Sequence, residues 1–142
     1  MESTINAMIP YAISCIDHKL EIKKGTKVEG IYESYLSQFG PMVIQLGLRS
    51  TLAVYQNKET SNKGGKSKGN RGIILDLIWK VLNDSSFYNL SANDINSRDK
   101  WINKLLSLTQ EIDYNTEQLI LDASVALKRA IRTFSLTDEK GD

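Results

Sequence analysis

Two side chains able to act as nucleophile, base or metal ligand lie close together near the start of the chain. Cys15 and His18 are three positions apart, so on a helix they share a face. A thiol beside an imidazole can form a nucleophile with its base, or supply two metal ligands. Cys15, however, borders a stripe of isoleucines, where a free cysteine is usually a small apolar side chain, and the sequence has no second His or Cys. We therefore favour a structural role for the pair and expect no metal and no cofactor.

The segment Gly65-Lys66-Ser67 resembles the end of a phosphate-binding loop. That motif requires a glycine five residues before its second glycine, and Thr60 stands at this position. It also requires a helix directly after the serine, whereas Gly69-Asn70 follows. The carboxylates elsewhere are scattered, and none belongs to a Glu-x-x-His ligand pair. The sequence therefore predicts no catalytic residues, and we expect that the protein is not an enzyme.

Cationic side chains are the remaining candidates for function, and they concentrate in three stretches. Several lysines lie at the end of the first helix, five lysines and arginines occupy residues 57–72, and three more cations lie in the last helix. Such side chains neutralise the phosphates of single-stranded RNA, and glycines between them let a loop follow a backbone. Each one can also be a solvated side chain or a cation at a helix end. The residues that we predict to bind RNA are Lys23, Lys24, Lys27, Arg49, Lys58, Lys63, Lys66, Lys68, Arg71, Lys128, Arg129 and Arg132.

Three tyrosines are candidates for stacking on RNA bases. Tyr32, Tyr35 and Tyr55 stand in segments with helical periodicity. Tyrosines beside an apolar stripe more often line the edge of the core than a binding surface. We expect several of the three to be structural.

The composition limits the class of protein. The 142 residues include 41% hydrophobic and 25% charged side chains, 2 prolines and 9 glycines, which indicates a single helical domain over residues 1–142. A net charge of +1 excludes binding of nucleic acid by bulk charge, so RNA must meet a local patch. One cysteine and an acidic, polar start indicate a cytoplasmic protein. No apolar stretch reaches the roughly 18–20 residues that a membrane helix needs, so we expect no membrane partner.

Amphipathic helices must position these residues. Isoleucines at spacings of three and four predict a first helix that ends at Gly25, with Lys23 and Lys24 in its last turn. Cations suit the last turn because they complement the helix dipole. A second helix is predicted from Val28 to Phe39.

The Gly40-Pro41 pair is predicted to stop the second helix and to open a third, which runs to about Gln56. This third segment is apolar almost all round, as is typical of a helix in the middle of a bundle. We expect Gly47, inside it, to allow another part of the chain to approach closely.

The second half of the chain contains one break and three helical stretches. Residues 57–72 have no apolar side chain and predict a flexible basic loop. Helices are predicted over Ile73–Leu82, Arg98–Leu108 and Asn115–Phe134, followed by a frayed acidic tail at residues 137–142. No alternating pattern predicts a convincing strand. The fold class that follows is all-α, a compact bundle of about five to six helices.

Several fragments, in this order and spacing, resemble one family. The central fragments are Tyr32–Tyr35, Pro41–Ile44, Gly47-Leu48 and Thr51–Tyr55. They resemble the small subunit of the CRISPR type III-B (Cmr) effector complex. The fragments Tyr114–Leu119 and Ala126–Arg129 are similar to the last helix of that family. The resemblance covers about residues 30–132.

The resemblance implies a compact all-helical protein without catalytic activity of its own. Members stack head to tail beside the subunits that hold the guide RNA, and they help to form a channel for target RNA, which other subunits cleave in antiviral defence. Gly47, Leu48, Leu52 and Ala53 would be packing positions, and the Lys128-Arg129 pair would lie at the RNA-facing surface. The alternative is a helical protein–protein adaptor whose basic loop has no nucleic-acid role.

Overall fold

Six helices and three short strands make up the regular structure of the described residues. The computed structural model describes residues 2–19, 21–56, 70–87, 97–108 and 110–137, without the side chains of residues 24 and 135–137. The predicted all-α class and the predicted number of helices are confirmed for these ranges. The elements are α1 (Glu2–Asp17), β1 (Lys23–Lys24), β2 (Lys27–Glu29), α2 (Gly30–Leu46), α3 (Leu48–Gln56), α4 (Gly72–Ser85), α5 (Arg98–Ser107), α6 (Tyr114–Ile131) and β3 (Ser135–Thr137).

The hydrophobic core forms around α6, which packs against α1, α2 and α4. Ala123, Ala126 and Ala130 of α6 are fully buried, and side chains this small let neighbouring helices approach closely. Side chains from the other helices complete the same cluster. Among its fully buried members are Met8, Ile16, Phe39, Leu52, Ile74, Ile78, Trp101 and Ile102.

Helix α1 is shorter than predicted. The helix ends at Asp17, and Lys23 and Lys24 form strand β1 instead of a last helical turn. β1 pairs antiparallel with β2 through a tight turn at Gly25, whose φ of 67° suits glycine in the first central position of a hairpin turn. Ile22 and Val28 are fully buried on either side of this turn. The helical prediction was wrong because burial of these two side chains selects an extended chain here.

A parallel strand from the end of the chain completes the small sheet. β3 follows α6 and pairs with β2, with Lys27 opposite Ser135 and Val28 opposite Leu136. The sequence predicted no strand, because elements of two and three residues are too short to show a period of two. Sheet pairing therefore joins the segment after α1 to the segment after α6.

The break between the second and third helices lies at Gly47, not at Gly40-Pro41. Helix α2 continues through Pro41, which stands on its exposed side. It ends where Gly47 adopts a φ of 90° and donates its N–H to the carbonyl of Val43, at 2.8 Å. A Cβ at Gly47 would meet nothing within 4 Å, so the predicted close approach is wrong. The glycine is required for its backbone conformation, which L side chains rarely adopt.

The segment predicted to lie in the middle of the bundle is partly on its surface. Ile44 is 83% exposed and Leu46 is 54% exposed, although both belong to the apolar stretch. The helix buried on most sides is α4, in which Ile74, Leu75 and Ile78 all lie in the core. Hydrophobicity alone could not separate these two helices, because it does not tell which apolar side chains find neighbours.

The last helices follow the predicted positions closely. Ser97 caps α5 by accepting from the backbone N–H of Lys100, and Asp113 caps α6 by accepting from that of Thr116 at 2.8 Å. Of residues 57–72, only Asn70–Gly72 are described, and Gly72 already begins α4. The rest of the predicted loop lies outside the described residues, as do residues 138–142 of the predicted tail. No helix within the described ranges is long and apolar enough to cross a membrane.

Candidate nucleic-acid interface

The small sheet joins two cation-bearing segments that come from distant parts of the chain. β1 and β2 carry Lys23, Lys24 and Lys27, and β3 directly follows the last turn of α6. The Nζ of Lys23 lies 6.0 Å from the ring centroid of Phe134, which stands between α6 and β3. We call the group formed in this way the basic end. Its members are Lys23, Lys24, Lys27, Lys128, Arg129 and Arg132.

Arg129 and Arg132 are held by carboxylates from other helices. The Nη1 and Nη2 atoms of Arg129 donate to the two carboxylate oxygens of Glu2, at 2.9 and 3.0 Å. The Nε and Nη2 atoms of Arg132 lie 2.9 and 2.8 Å from the same oxygen of Glu33. The Arg129 guanidinium lowers the pKa of Glu2, and the hydrogen bonds to Glu2 raise the pKa of Arg129. Neither glutamate is among the residues predicted to form the site.

The lysines of the basic end differ in their partners. Lys23 donates to Asp17 at 2.8 Å, and this contact lowers the pKa of the aspartate. Lys27 is exposed and Lys128 is half-buried, and neither has an ion pair with a carboxylate of the described residues. Among the side chains of the basic end that the structure describes, these two lysines are therefore the ones without a carboxylate partner.

Arg71 and Arg49 have surroundings of their own. The guanidinium of Arg71 packs over the ring of Tyr35, 4.6 Å from its centroid, and donates to the side chain of Gln38 at 3.3 Å. Arg49 is half-buried, and its Nε and Nη2 atoms have no hydrogen-bond partner among the described residues. Arg71 is therefore held against the aromatic rings of α2 and α3. Lys58, Lys63, Lys66 and Lys68 lie outside the described residues.

The three candidate stacking tyrosines are buried. The hydroxyl of Tyr55 donates to the backbone carbonyl of Tyr35 at 2.6 Å, and burial raises the pKa of Tyr55 to about 12. The hydroxyl of Tyr32 accepts from the backbone N–H of Asn70 at 3.1 Å. Their rings belong to the core, so they are not available to stack on bases.

Cys15 and His18 are close to each other but do not form a reactive pair. Cys15 is buried, and burial raises the pKa of its thiol to about 12, so the nucleophilic thiolate is disfavoured. The Nδ1 atom of His18 donates to the backbone carbonyl of Ser14 at 2.8 Å. Within the described ranges, no group of three His, Cys, Asp or Glu side chains could hold a metal ion.

The two residues line a cleft of about 550 Å³ between α1 and α4. Inside it, Asp76 accepts from Lys19 at 3.2 Å and from Arg98 at 2.8 Å. These contacts connect α4 to the end of α1 and to the start of α5. The charges in the cleft therefore stabilise helix packing by pairing with each other.

A separate part of α2 presents an uncharged surface. We call Pro41, Ile44, Gln45 and Leu46 the α2 patch, and all four side chains are exposed. It lies about 16 Å along the helix from Glu33, which holds Arg132, because each helical residue adds about 1.5 Å. The patch carries no charge for binding phosphates, and exposed apolar groups of this kind favour contact with protein.

A family model matches most of the chain. The family is described as CRISPR-associated protein (Cas_Cmr5), and the match covers residues 7–134. It extends from α1 to the residue that precedes β3, and it includes every described helix apart from the first turn of α1. No curated protein and no solved structure matches the chain. The resemblance found in the sequence is thereby confirmed at the level of the family.

Proposed function

The chain belongs to the CRISPR-associated Cas_Cmr5 family, the small-subunit family of the type III-B Cmr complex, and we propose that it acts there as a non-catalytic, RNA-lining subunit. In this proposal the chain contributes a basic surface to the channel for guide and target RNA during cytoplasmic antiviral defence. Cleavage of the target belongs to other subunits of the complex. The buried thiol of Cys15 and the backbone-bonded His18 support a role without catalysis of its own.

The observation that carries the proposal is the assembly of the basic end. Pairing of β2 with β1 and β3 joins two cation-bearing segments, the strands that carry Lys23, Lys24 and Lys27 and the end of α6 that carries Lys128, Arg129 and Arg132. The backbone of these residues belongs to short strands and to the end of a helix, which hold it in place better than a long loop would. A local cluster of this kind can track a few phosphates, although the net charge of the whole chain is only +1.

We also propose that the chain contacts neighbouring proteins through the α2 patch. Those neighbours would be other subunits of the effector complex and copies of this chain stacked head to tail. Copies of the chain that meet through an uncharged apolar surface do not repel each other there, so the same contact can repeat along a filament. The patch and the basic end lie at different levels of α2, so both surfaces can be occupied at once.

The RNA role is tested by removing charge from the last turns of α6. We expect the triple variant Lys128→Gln, Arg129→Gln and Arg132→Gln to fold normally and to join the complex, but to lower the amount of target RNA that the assembled complex retains. Neutral glutamine is used because a glutamate at residue 129 would also repel Glu2. Retention is measured by filter binding of labelled single-stranded RNA at several salt concentrations, since phosphate contacts make binding salt-dependent.

A matched control is available on other helices. Lys80→Gln, Lys100→Gln and Lys104→Gln remove the same charge from α4 and α5, outside the basic end. If both triple variants retain RNA like the parent chain, the basic end has no RNA role and a protein–protein adaptor is the better interpretation. If both lose RNA equally, the effect is one of bulk charge and not of this surface.

A further inference from the structure

The two arginines of the basic end are already occupied in the free chain. Glu2 is the first residue of α1, and Glu33 lies in the first turn of α2. Both therefore stand at the positive ends of helix dipoles, where a carboxylate is stabilised, and they face the negative end of α6. Arg129 is bound by both oxygens of Glu2, and Arg132 uses two nitrogens on one oxygen of Glu33.

A phosphate would need the same guanidinium nitrogens that these carboxylates hold. Arginine presents a planar fork of N–H groups that fits carboxylates and phosphates in the same way. The pairs are accessible to solvent, since the Glu2 side chain is 69% exposed and that of Arg132 is 55% exposed. Accessible ion pairs of this kind are weak enough to exchange partners.

From this geometry we propose that Glu2 and Glu33 compete with RNA phosphates for Arg129 and Arg132, so that the free chain binds RNA weakly and its arginines open only to RNA held in place by the assembled complex. This inference rests on the proposed function, because it concerns the regulation of the same surface. The ligand class is the phosphate backbone of single-stranded RNA, without regard to sequence.

The two carboxylates differ in what happens to them after release. Glu2 is largely exposed, so water and the dipole of α1 stabilise its carboxylate when Arg129 is no longer bound. Glu33 is less exposed, at 23%, and it already accepts from the hydroxyl of Ser37 at 3.3 Å. Each therefore keeps a favourable environment as an anion when its arginine leaves, which makes the exchange reversible.

The experiment removes each competitor without touching the arginines. Glu2→Gln, Glu33→Gln and the double variant are titrated with a fluorescein-labelled oligouridine 20-mer, and binding is followed by anisotropy at low and increasing salt. We expect each substitution to raise the affinity by up to about fivefold, since exposed ion pairs are of that strength. The slope of log affinity against log salt should steepen by about 0.7 for each freed arginine, as found for phosphate contacts with single strands.

Glu111→Gln is the matched control, because Glu111 is exposed and forms no ion pair with a cation of the described residues. It changes the net charge equally but frees no arginine. The proposed competition would be overturned if the RNA affinity of the Glu2 and Glu33 variants rose no more than that of this control. So would a double variant that shows no binding to the probe at low salt.

The failure of this inference can be told apart from the failure of the proposed function. If the α6 triple variant lowers RNA retention by the complex while Glu2→Gln and Glu33→Gln behave like the control, the basic end binds RNA and the competition does not exist. If neither set of variants changes RNA binding, the RNA role itself is wrong. If Glu2→Gln and Glu33→Gln lower the thermal stability without changing the RNA affinity, the ion pairs only fasten α1 and α2 to α6.

Discussion

At the scale of single residues, burial decides which side chains keep their reactivity. Cys15 and Tyr55 have the chemical groups of a nucleophile and a stacking surface, yet both lie in the core. Desolvation disfavours their charged forms and raises both pKa values to about 12. Accessible charged groups lie elsewhere, among them those of the basic end and its carboxylate partners.

The raised pKa of Cys15 predicts a loss of stability at alkaline pH. Burial raises the pKa of the folded thiol to about 12, whereas the ordinary pKa of a cysteine thiol in the unfolded chain is 9.0. The free energy of unfolding should therefore be unaffected by this group below pH 9.0 and should fall as the pH rises from there towards about 12. Urea denaturation of the parent chain and of Cys15→Ala at several pH values measures the difference.

In the Cys15→Ala variant the free energy of unfolding should fall less at alkaline pH. The decrease that is due to Tyr55, between pH 10.0 and about 12, should remain. Parallel stability curves for the two chains across this range would contradict the assignment of the thiol to a buried, neutral state.

At the scale of elements, two glycines that look alike in the sequence have opposite roles. Gly40 lies inside α2 in a region where an added Cβ would meet nothing within 4 Å. Gly47 has equally open surroundings but a φ of 90° and a ψ of 160°, and it separates α2 from α3. Space is therefore not what distinguishes them; backbone conformation is.

Alanine substitution should affect the two positions in opposite directions. Gly40→Ala should stabilise the protein by about 0.5–1 kcal/mol, because alanine loses less conformational freedom in a helix than glycine. Gly47→Ala should destabilise it by about 1–3 kcal/mol, because that backbone region is almost closed to L side chains. Urea unfolding of both variants measures the two effects, and a neutral Gly47→Ala would show that the α2–α3 junction relaxes without cost.

At the scale of the whole molecule, charged and uncharged surfaces are separated along α2. Its first turn belongs to the basic end through the Glu33–Arg132 pair, and its last turn belongs to the α2 patch. A subunit that contacts both RNA and proteins needs this separation, because phosphates and apolar surfaces require opposite environments.

The α2 patch predicts a variant that folds but does not assemble. Ile44→Gln with Leu46→Gln should change the free energy of unfolding by no more than about 0.5 kcal/mol, because both side chains are exposed. The amount of the chain that co-purifies with the other subunits of the complex should fall. Tyr114→Gln, which alters another exposed side chain, is the control and should assemble normally. Full incorporation of the double variant would remove the α2 patch from the list of interfaces.

Much of this protein follows from local sequence features. The helical class and the positions of α4, α5 and α6 depend on periodicity and on contacts within one or two turns. The structural role of Cys15 follows in the same way from its place on an apolar stripe. The order and spacing of fragments over residues 30–132 were sufficient to indicate the family.

The remaining features of the fold and of the candidate site depend on contacts between distant segments. Whether apolar side chains are buried depends on which helices surround them, so Ile44 is exposed while Ile74 is in the core. The small sheet and the pairs Glu2–Arg129 and Glu33–Arg132 join residues from opposite ends of the chain. No local pattern carries such information, because it arises only when the packing of α1 and α2 against α6 sets those groups side by side.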